Sequence, residues 1–368
     1  MKPYVIRPAT LDDIPALVDI ENRSFDIDRL SRRNFRHILS KGHATTLIAD
    51  LDGIAMGYVM VLYNRGISMA RLYSVAVLPE ARGQGIGLAL ANAAEDATIE
   101  NGCAYLRLEV HPNNQASKEL FVKLGYQQFG IYTDYYEDHA DALRFEKALT
   151  EDQPPLLAKV PYYQQTLEFT CGPACLMMAM AVLDDSLDFS RHLELRLWRE
   201  STSIYMTSGH GGCGPFGLAL AAFHRGFDAE VYVSRSDKLF VDSVRSEEKK
   251  EVIKLVNEDF LREMRAKRLP LHYRRLATRD LEEKLKAGGI PIVLISSYKI
   301  YKEKFPHWVV VTGLDERFIY VHDPYVDVEL GKSITVCVNM PIARKDFERM
   351  ARYGKSALRA AIILYKKV

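Results

Sequence analysis

Long apolar runs are missing from this chain of 368 residues. None approaches the roughly 18 consecutive apolar residues that a membrane-spanning helix requires, and the opening MKPYVIRPAT lacks the apolar centre of a secretory signal. No membrane partner is expected, and a cytoplasmic location is. An excess of charge of one sign is missing too: 49 Lys and Arg stand against 48 Asp and Glu, a net charge of +1. That balance supplies no field to draw in a polyanion, so no nucleic-acid partner is expected. Cysteine is scarce and odd in number, with Cys103, Cys171, Cys175, Cys213 and Cys337 scattered through a chain large enough to need no staples. No metal is expected either, because neither a second cysteine pair nor a histidine pair accompanies Cys171 and Cys175. There is no internal repeat, no GxxxxGK[ST], and no GxGxxG directly after a first strand.

What is present divides in two. The length is about twice that of a typical domain, and the Pro-Pro connector TEDQPPLLAKV separates two differently patterned halves. The expected organisation is a first domain over residues 1–149, a linker over 150–159, and a second domain over 160–368 with a charged helical insertion at about 237–283. In the first half, TLDDIPALVDIENRSF carries helical spacing behind Thr10 as N-cap, and Asp52-Gly53 lies between two β-rich runs as a hairpin turn. RLYSVAVL and YLRLEVHP are further strands, each leading into a helix. The fold class expected is α/β for the first half, a mixed sheet flanked by helices, and α+β for the second.

After Val75-Ala76-Val77 comes Arg82-Gly83-Gln84-Gly85-Ile86-Gly87 and then a helical run. A glycine-rich turn entering a helix aims free N–H groups and the positive end of the helix dipole at a phosphate, so a pyrophosphate is the implied ligand. With the flanking stretches IRPATLDDIPALVDIENRSF, NQASKELFVKLGY and YYEDHADALRFEKAL, this segment resembles the GNAT acetyltransferases, in particular the RimI-like branch that acetylates peptide or protein N-termini. The resemblance implies acetyl-CoA as co-substrate, held by the backbone near Val75 and Val77 and by Arg82, Gly83, Gln84, Gly85, Ile86 and Gly87, with Asn114 near the pantetheine arm. It places the general base at Glu109. The family's proton-donating tyrosine has Phe121 in its place, which leaves Tyr126, Tyr135, Tyr136 or a water for that task.

In the second half, Cys171-Gly172-Pro173 opens an apolar helical run, ACLMMAMAVL. A helix N-terminus favours the thiolate, which makes Cys171 the expected nucleophile and leaves Cys175, one turn on, to the core. His307 heads the strand HWVVVTGLD as the imidazole base. Asp323 lies at the end of the strand stretch FIYVHDP, where hairpin pairing brings it beside His307, and Gln165 lies six residues before Cys171 as an oxyanion donor. Strand alternation turns His322 to the opposite face, and Cys213 within SGHGGCGPFG, with His210 nearby, imitates the context of Cys171. The set Q-x5-C-G-P-A, H-W-V-V-V-x-G and V-x-D-P resembles the papain-like peptidases that trim double-glycine leaders from bacteriocin precursors, over about residues 158 to 345. The implied whole is a bifunctional enzyme acting on peptides or proteins. An amidase or isopeptide ligase using the same thioester, or a degenerate first domain that only binds, are the alternatives.

Overall fold

The structure is a computed structural model, and the residues it describes are 4–149, 156–202, 211–234, 239–241, 246–302, 305–326, 334–354 and 356–367. The chain forms two compact units, Met1–Asp152 and Gln153–Val368, each with its own apolar core. Among the described residues no helix is long and apolar enough to cross a membrane, and no group of three His, Cys, Asp or Glu is placed to hold a metal ion.

The first unit is a seven-stranded sheet with helices on both faces. Its strands are β1 (Val5–Pro8), β2 (Ala44–Leu51), β3 (Ile54–Tyr63), β4 (Met69–Val77), β5 (Tyr105–Val110), β6 (Gln127–Tyr132) and β7 (Ala142–Ala148), in the order β1-β2-β3-β4-β5-β7-β6. Asp52 and Gly53 both take positive φ, 52° and 85°, which turns β2 into β3 with the twist a two-residue hairpin needs. The helices are α1 (Ile14–Ser24), α2 (Arg32–Lys41), α3 (Ile86–Glu100) and α4 (Gln115–Lys123). A Cβ on Gly57 of β3 would touch Leu90 of α3, whereas the next residue, Tyr58, donates its hydroxyl to Glu21 of α1. Strand alternation therefore puts α1 and α3 on opposite faces. The helix expected from Thr10 onward begins instead as a 3-10 turn, Leu11–Asp13. Pro15 has no N–H to offer the Leu11 carbonyl, which is taken by Ile14 one residue earlier.

Among the described residues β4 and β5 are the only parallel neighbours in this sheet, and they pair from Met69–Arg71 to Tyr105–Arg107. Beyond those residues the two strands part, so among the described residues β4 from Leu72 to Val77 has β3 on one side and no strand on the other. This split, together with the turn that follows β4, positions the first candidate site.

The second unit is an eight-stranded sheet. Its strands are β8 (Leu156–Leu157), β9 (Phe227–Val233), β10 (Leu271–His272), β11 (Ile290–Ser296), β12 (Pro306–Leu314), β13 (Phe318–His322), β14 (Met340–Ala343) and β15 (Ala360–Lys366), ordered β10-β9-β15-β11-β12-β13-β14 with β8 on β12. α5 (Cys171–Leu183) and α7 (Pro215–Phe223) are apolar nearly all round and are buried against the sheet, with α6 (Arg191–Ser201) beside them. The segment at 237–283 is not helical throughout. It holds α8 (Glu247–Ala266), which buries Ile253, Asn257 and Met264 against α7, then edge strand β10, then the first part of α9 (Thr278–Lys286). α10 (Tyr298–Tyr301), α11 (Ile334–Cys337) and α12 (Arg344–Met350) complete the unit.

Candidate active sites

Gly83 and Gly85 take φ of 73° and 79°, a region L side chains rarely adopt, and a Cβ on either would meet nothing within 4 Å. Gly85 is the N-cap of α3 and brings no side chain to bond the first-turn N–H groups, which are left for an anion. Arg82 donates from Nε to the Val77 carbonyl (3.2 Å), and Gln84 Nε2 donates to Glu80 O (3.2 Å), bracing the turn. Ile86 is buried as the first residue of α3, and a Cβ on Gly87 would only graze Leu120 and Val77. Val75 and Val77 lie half-buried on the part of β4 that has parted from β5. A pyrophosphate with an extended arm fits this cradle: the turn supplies N–H groups and the open strand edge supplies backbone. Asn114 caps α4, accepting from Ser117 N–H at 3.1 Å.

Glu109 on β5 is no exposed strand residue; its side chain is 4% exposed. One carboxylate oxygen accepts from Arg71 Nε at 2.7 Å, and the other, Oε1, is buried without a protein partner. Arg71 also donates to the Tyr135 hydroxyl. Burial pushes that phenol up to about 12 although Arg71 opposes the shift, and Tyr136, its ring centroid 4.9 Å from that of His111, is raised by burial too. Tyr126 turns the other way. It packs edge-on against the buried Phe121 (5.2 Å), beside Glu95, and is raised by burial. Of the three tyrosines named from the sequence, 135 and 136 adjoin Glu109 and 126 belongs to the core.

Cys171 is the first residue of α5, behind Thr170 as N-cap, and is partly exposed. His307, the second residue of β12, is 1% exposed and holds Asp323 Oδ1 at 2.6 Å through Nε2, which leaves Nδ1 for Cys171, its other hydrogen-bonding neighbour. Burial works against the charged ring, but the charge and hydrogen bond of Asp323, with Cys171 adding to them, push His307 up to about 9. Asp323 is fully buried; Oδ2 accepts from the Tyr301 hydroxyl (2.7 Å) and Oδ1 from Tyr325 N–H (2.9 Å). Gln165 donates from Nε2 to Leu167 O (2.8 Å), and its own oxygen is buried without a partner. Its backbone N–H donates to Pro324 O (2.9 Å), tying the Gln165 segment to the residue after Asp323.

The competing groups take other positions. His322 bonds Val160 O through Nε2 (2.9 Å) and accepts Asn339 N–H at Nδ1 (3.0 Å). Cys175 is buried with Sγ 3.2 Å from Trp308 O, and its thiol is raised well above the usual range by burial. Cys213 is buried as well and raised by burial and by the neighbouring Cys171; its carbonyl accepts Trp308 Nε1 (3.0 Å). His210 lies outside the described residues. Two groups had no visible signal in the sequence. Tyr301 is the last residue of a one-turn helix, and Glu194 is one of two acids on α6, yet the phenol bonds Asp323 and the carboxylate bonds Thr170 beside Cys171.

The first unit matches the acetyltransferase (GNAT) family over residues 14–126. A Bacillus subtilis protein named for alanine N-acetylation of ribosomal protein bS18 is 29% identical over 37% of this chain and 89% of its own length. An N-alpha-acetyltransferase of Sulfurisphaera tokodaii is 31% identical over 38% of this chain and 90% of its own. The crystal structure of the Escherichia coli ribosomal-protein-S18-alanine N-acetyltransferase covers 41% of this chain and 97% of its own, at 25% identity and a TM-score of 0.38. Residues 160–365, more than half of the chain, match a family described as Peptidase_C39 like. The chain therefore belongs to the Peptidase_C39 like family through its second unit, and to the acetyltransferase (GNAT) family through its first.

Proposed function

We propose that the chain joins two acyl-transfer enzymes: an acetyl-CoA-dependent N-acetyltransferase for peptide or protein amines, and a papain-like cysteine peptidase whose nucleophile is Cys171. The observation that carries the peptidase reading is the line Cys171, His307, Asp323, buried at its far end and open at the thiol. With its imidazole held protonated, His307 pairs with a Cys171 thiolate. The thiolate adds to a peptide carbonyl, and the oxyanion is met by the Cys171 N–H and by the second hydrogen of Gln165 Nε2. His307 gives its proton from Nδ1 to the departing amine, leaving a thioester, then takes one from the water that hydrolyses it. Asp323 keeps the ring oriented throughout.

In the first unit, bound acetyl-CoA would supply an activated acetyl thioester. The N–H groups of residues 83–87 and the open edge of β4 would hold it, and Glu109 Oε1, free of a protein partner, would take the proton from the acceptor amine. Phe121 has no proton to give, and Tyr135 or Tyr136 beside Glu109 would return one to the leaving sulfur. The relatives' names point to protein N-termini as acceptors.

Mass spectrometry of a peptide library incubated with acetyl-CoA and the full chain tests both halves. Cleavage products that vanish in Cys171→Ala, and a gain of one acetyl group at amines that vanishes in Glu109→Gln, are expected. Persistence of cleavage in Cys171→Ala, with loss only in Cys213→Ala, would sink the peptidase assignment. Peptide mass gained at an amine and lost in Cys171→Ala, with no cleavage fragments, would convert it to a ligase.

A further inference from the structure

We propose that Glu194 is the positioning residue of the Cys171 site, fixing the oxyanion donors relative to the nucleophile; this rests on the peptidase reading above. Glu194 is fully buried on α6, and among the described residues it forms no ion pair. Burying a carboxylate without a cation is costly unless hydrogen bonds replace its water. Here they come from one short stretch of chain. Oε1 accepts from Thr166 N–H (2.9 Å) and from the Thr170 hydroxyl, and Oε2 accepts from the hydroxyls of Thr166 (2.6 Å) and Tyr163 (2.9 Å).

Those donors bracket the chemistry. Tyr163 and Thr166 flank Gln165, and Thr170 is the N-cap immediately before Cys171. One carboxylate thus grips the oxyanion segment and the start of the nucleophile's helix at once. The same helix carries Trp198, whose Nε1 donates to Gly211 O (2.8 Å) and whose ring meets Phe169 at 4.9 Å. From the other side, Tyr162 donates to Asp323 O (2.9 Å) and Gln165 N–H to Pro324 O, so Glu194 opposes a second set of anchors. Loss of its acceptors frees the 163–170 segment on one side only. The thiolate–imidazolium pair stays, while the Gln165 amide drifts from where an oxyanion forms.

The test uses two reagents on the full-length protein. Iodoacetamide alkylates the thiolate without forming an oxyanion; p-nitrophenyl acetate acylates it through one. Glu194→Met, similar in length and lacking acceptors, is expected to lose roughly 100-fold in acylation of Cys171, because displaced donors cost about that much, with alkylation changed by less than about 3-fold. Glu194→Gln, which keeps one carbonyl oxygen for Thr166 N–H and lets its amide donate to the hydroxyls, recovers to within about 5-fold. Should Glu194→Met not fold, Thr166→Val and Tyr163→Phe each remove one donor and are expected to show the same split, smaller in size. Equal loss of alkylation and acylation, or no loss of acylation in any variant, overturns the proposal. Failure of wild-type Cys171 to be acylated at all, by contrast, overturns the peptidase reading beneath it.

Discussion

His307 is a charged ring in a place that disfavours charge, and Asp323 is the group that reverses the balance. Its value is about 9 against an ordinary 6.5, so the stabilisation of the protonated ring is fully present below the unfolded value and is lost as pH rises through about 9. Asp323→Asn keeps the shape and removes the charge. The His307 ring of that variant, followed by NMR of nitrogen-labelled histidine, is expected to titrate at least about one unit lower than in wild type. An unmoved titration would assign the shift to another group. At Glu109, Arg71 holds one carboxylate oxygen and the other is buried without a protein partner.

At the scale of elements, the pairing of His307 with Asp323 depends on a bulge. From Leu314↔Ile319 and Gly313↔Tyr320 the register of β12 and β13 skips Thr312, resuming at Val311↔Val321 and Val310↔His322. Continued, it sets Asp323 opposite Val309, and residues 307 and 309 share a face. Without the extra residue Asp323 would stand opposite Val310 and point to the face of Trp308. Deletion of Thr312 is therefore expected to lower acylation of Cys171 at least roughly 100-fold by removing the base's orienter. Tryptophan emission checks that the unit still folds, and retained acylation in a folded variant would refute the role of the bulge. The hairpin was legible from the sequence, because HWVVVTGLD and FIYVHDP are strand-like around a polar turn. The bulge was not, since nothing about Thr312 marks it as the residue to be skipped.

For the molecule as a whole, two cores imply two separable unfolding events. Both tryptophans, Trp198 and Trp308, lie in the second unit, so their emission reports that unit alone. A Cβ on Gly217 of α7 would fall 2.7 Å from the Ser201 backbone at the end of α6. Gly217→Ala is expected to destabilise the second unit by about 1–3 kcal/mol, read as a shift of the tryptophan transition in denaturant, while the heat of acetyl-CoA binding stays as in wild type. A parallel change in both signals would mean that the units unfold as one.

The glycine-rich turn proposed to cradle a phosphate needed only the sequence for its shape, because its six residues are contiguous and its demands are local: glycine where φ is positive, and a helix beginning at once. The helix that begins at Cys171, the proposed nucleophile, was legible for the same reason, with Gly-Pro opening an apolar helix directly after it. Tertiary structure alone decided which tyrosines adjoin Glu109, that Arg71 holds one of its oxygens, that Tyr301 bonds Asp323, and that Glu194 bonds Thr170 beside Cys171. Hydrogen bonds between residues far apart in the chain leave no periodic trace in the sequence. They depend on a register, a bulge and a crossing of helices that exist only once the sheets have formed.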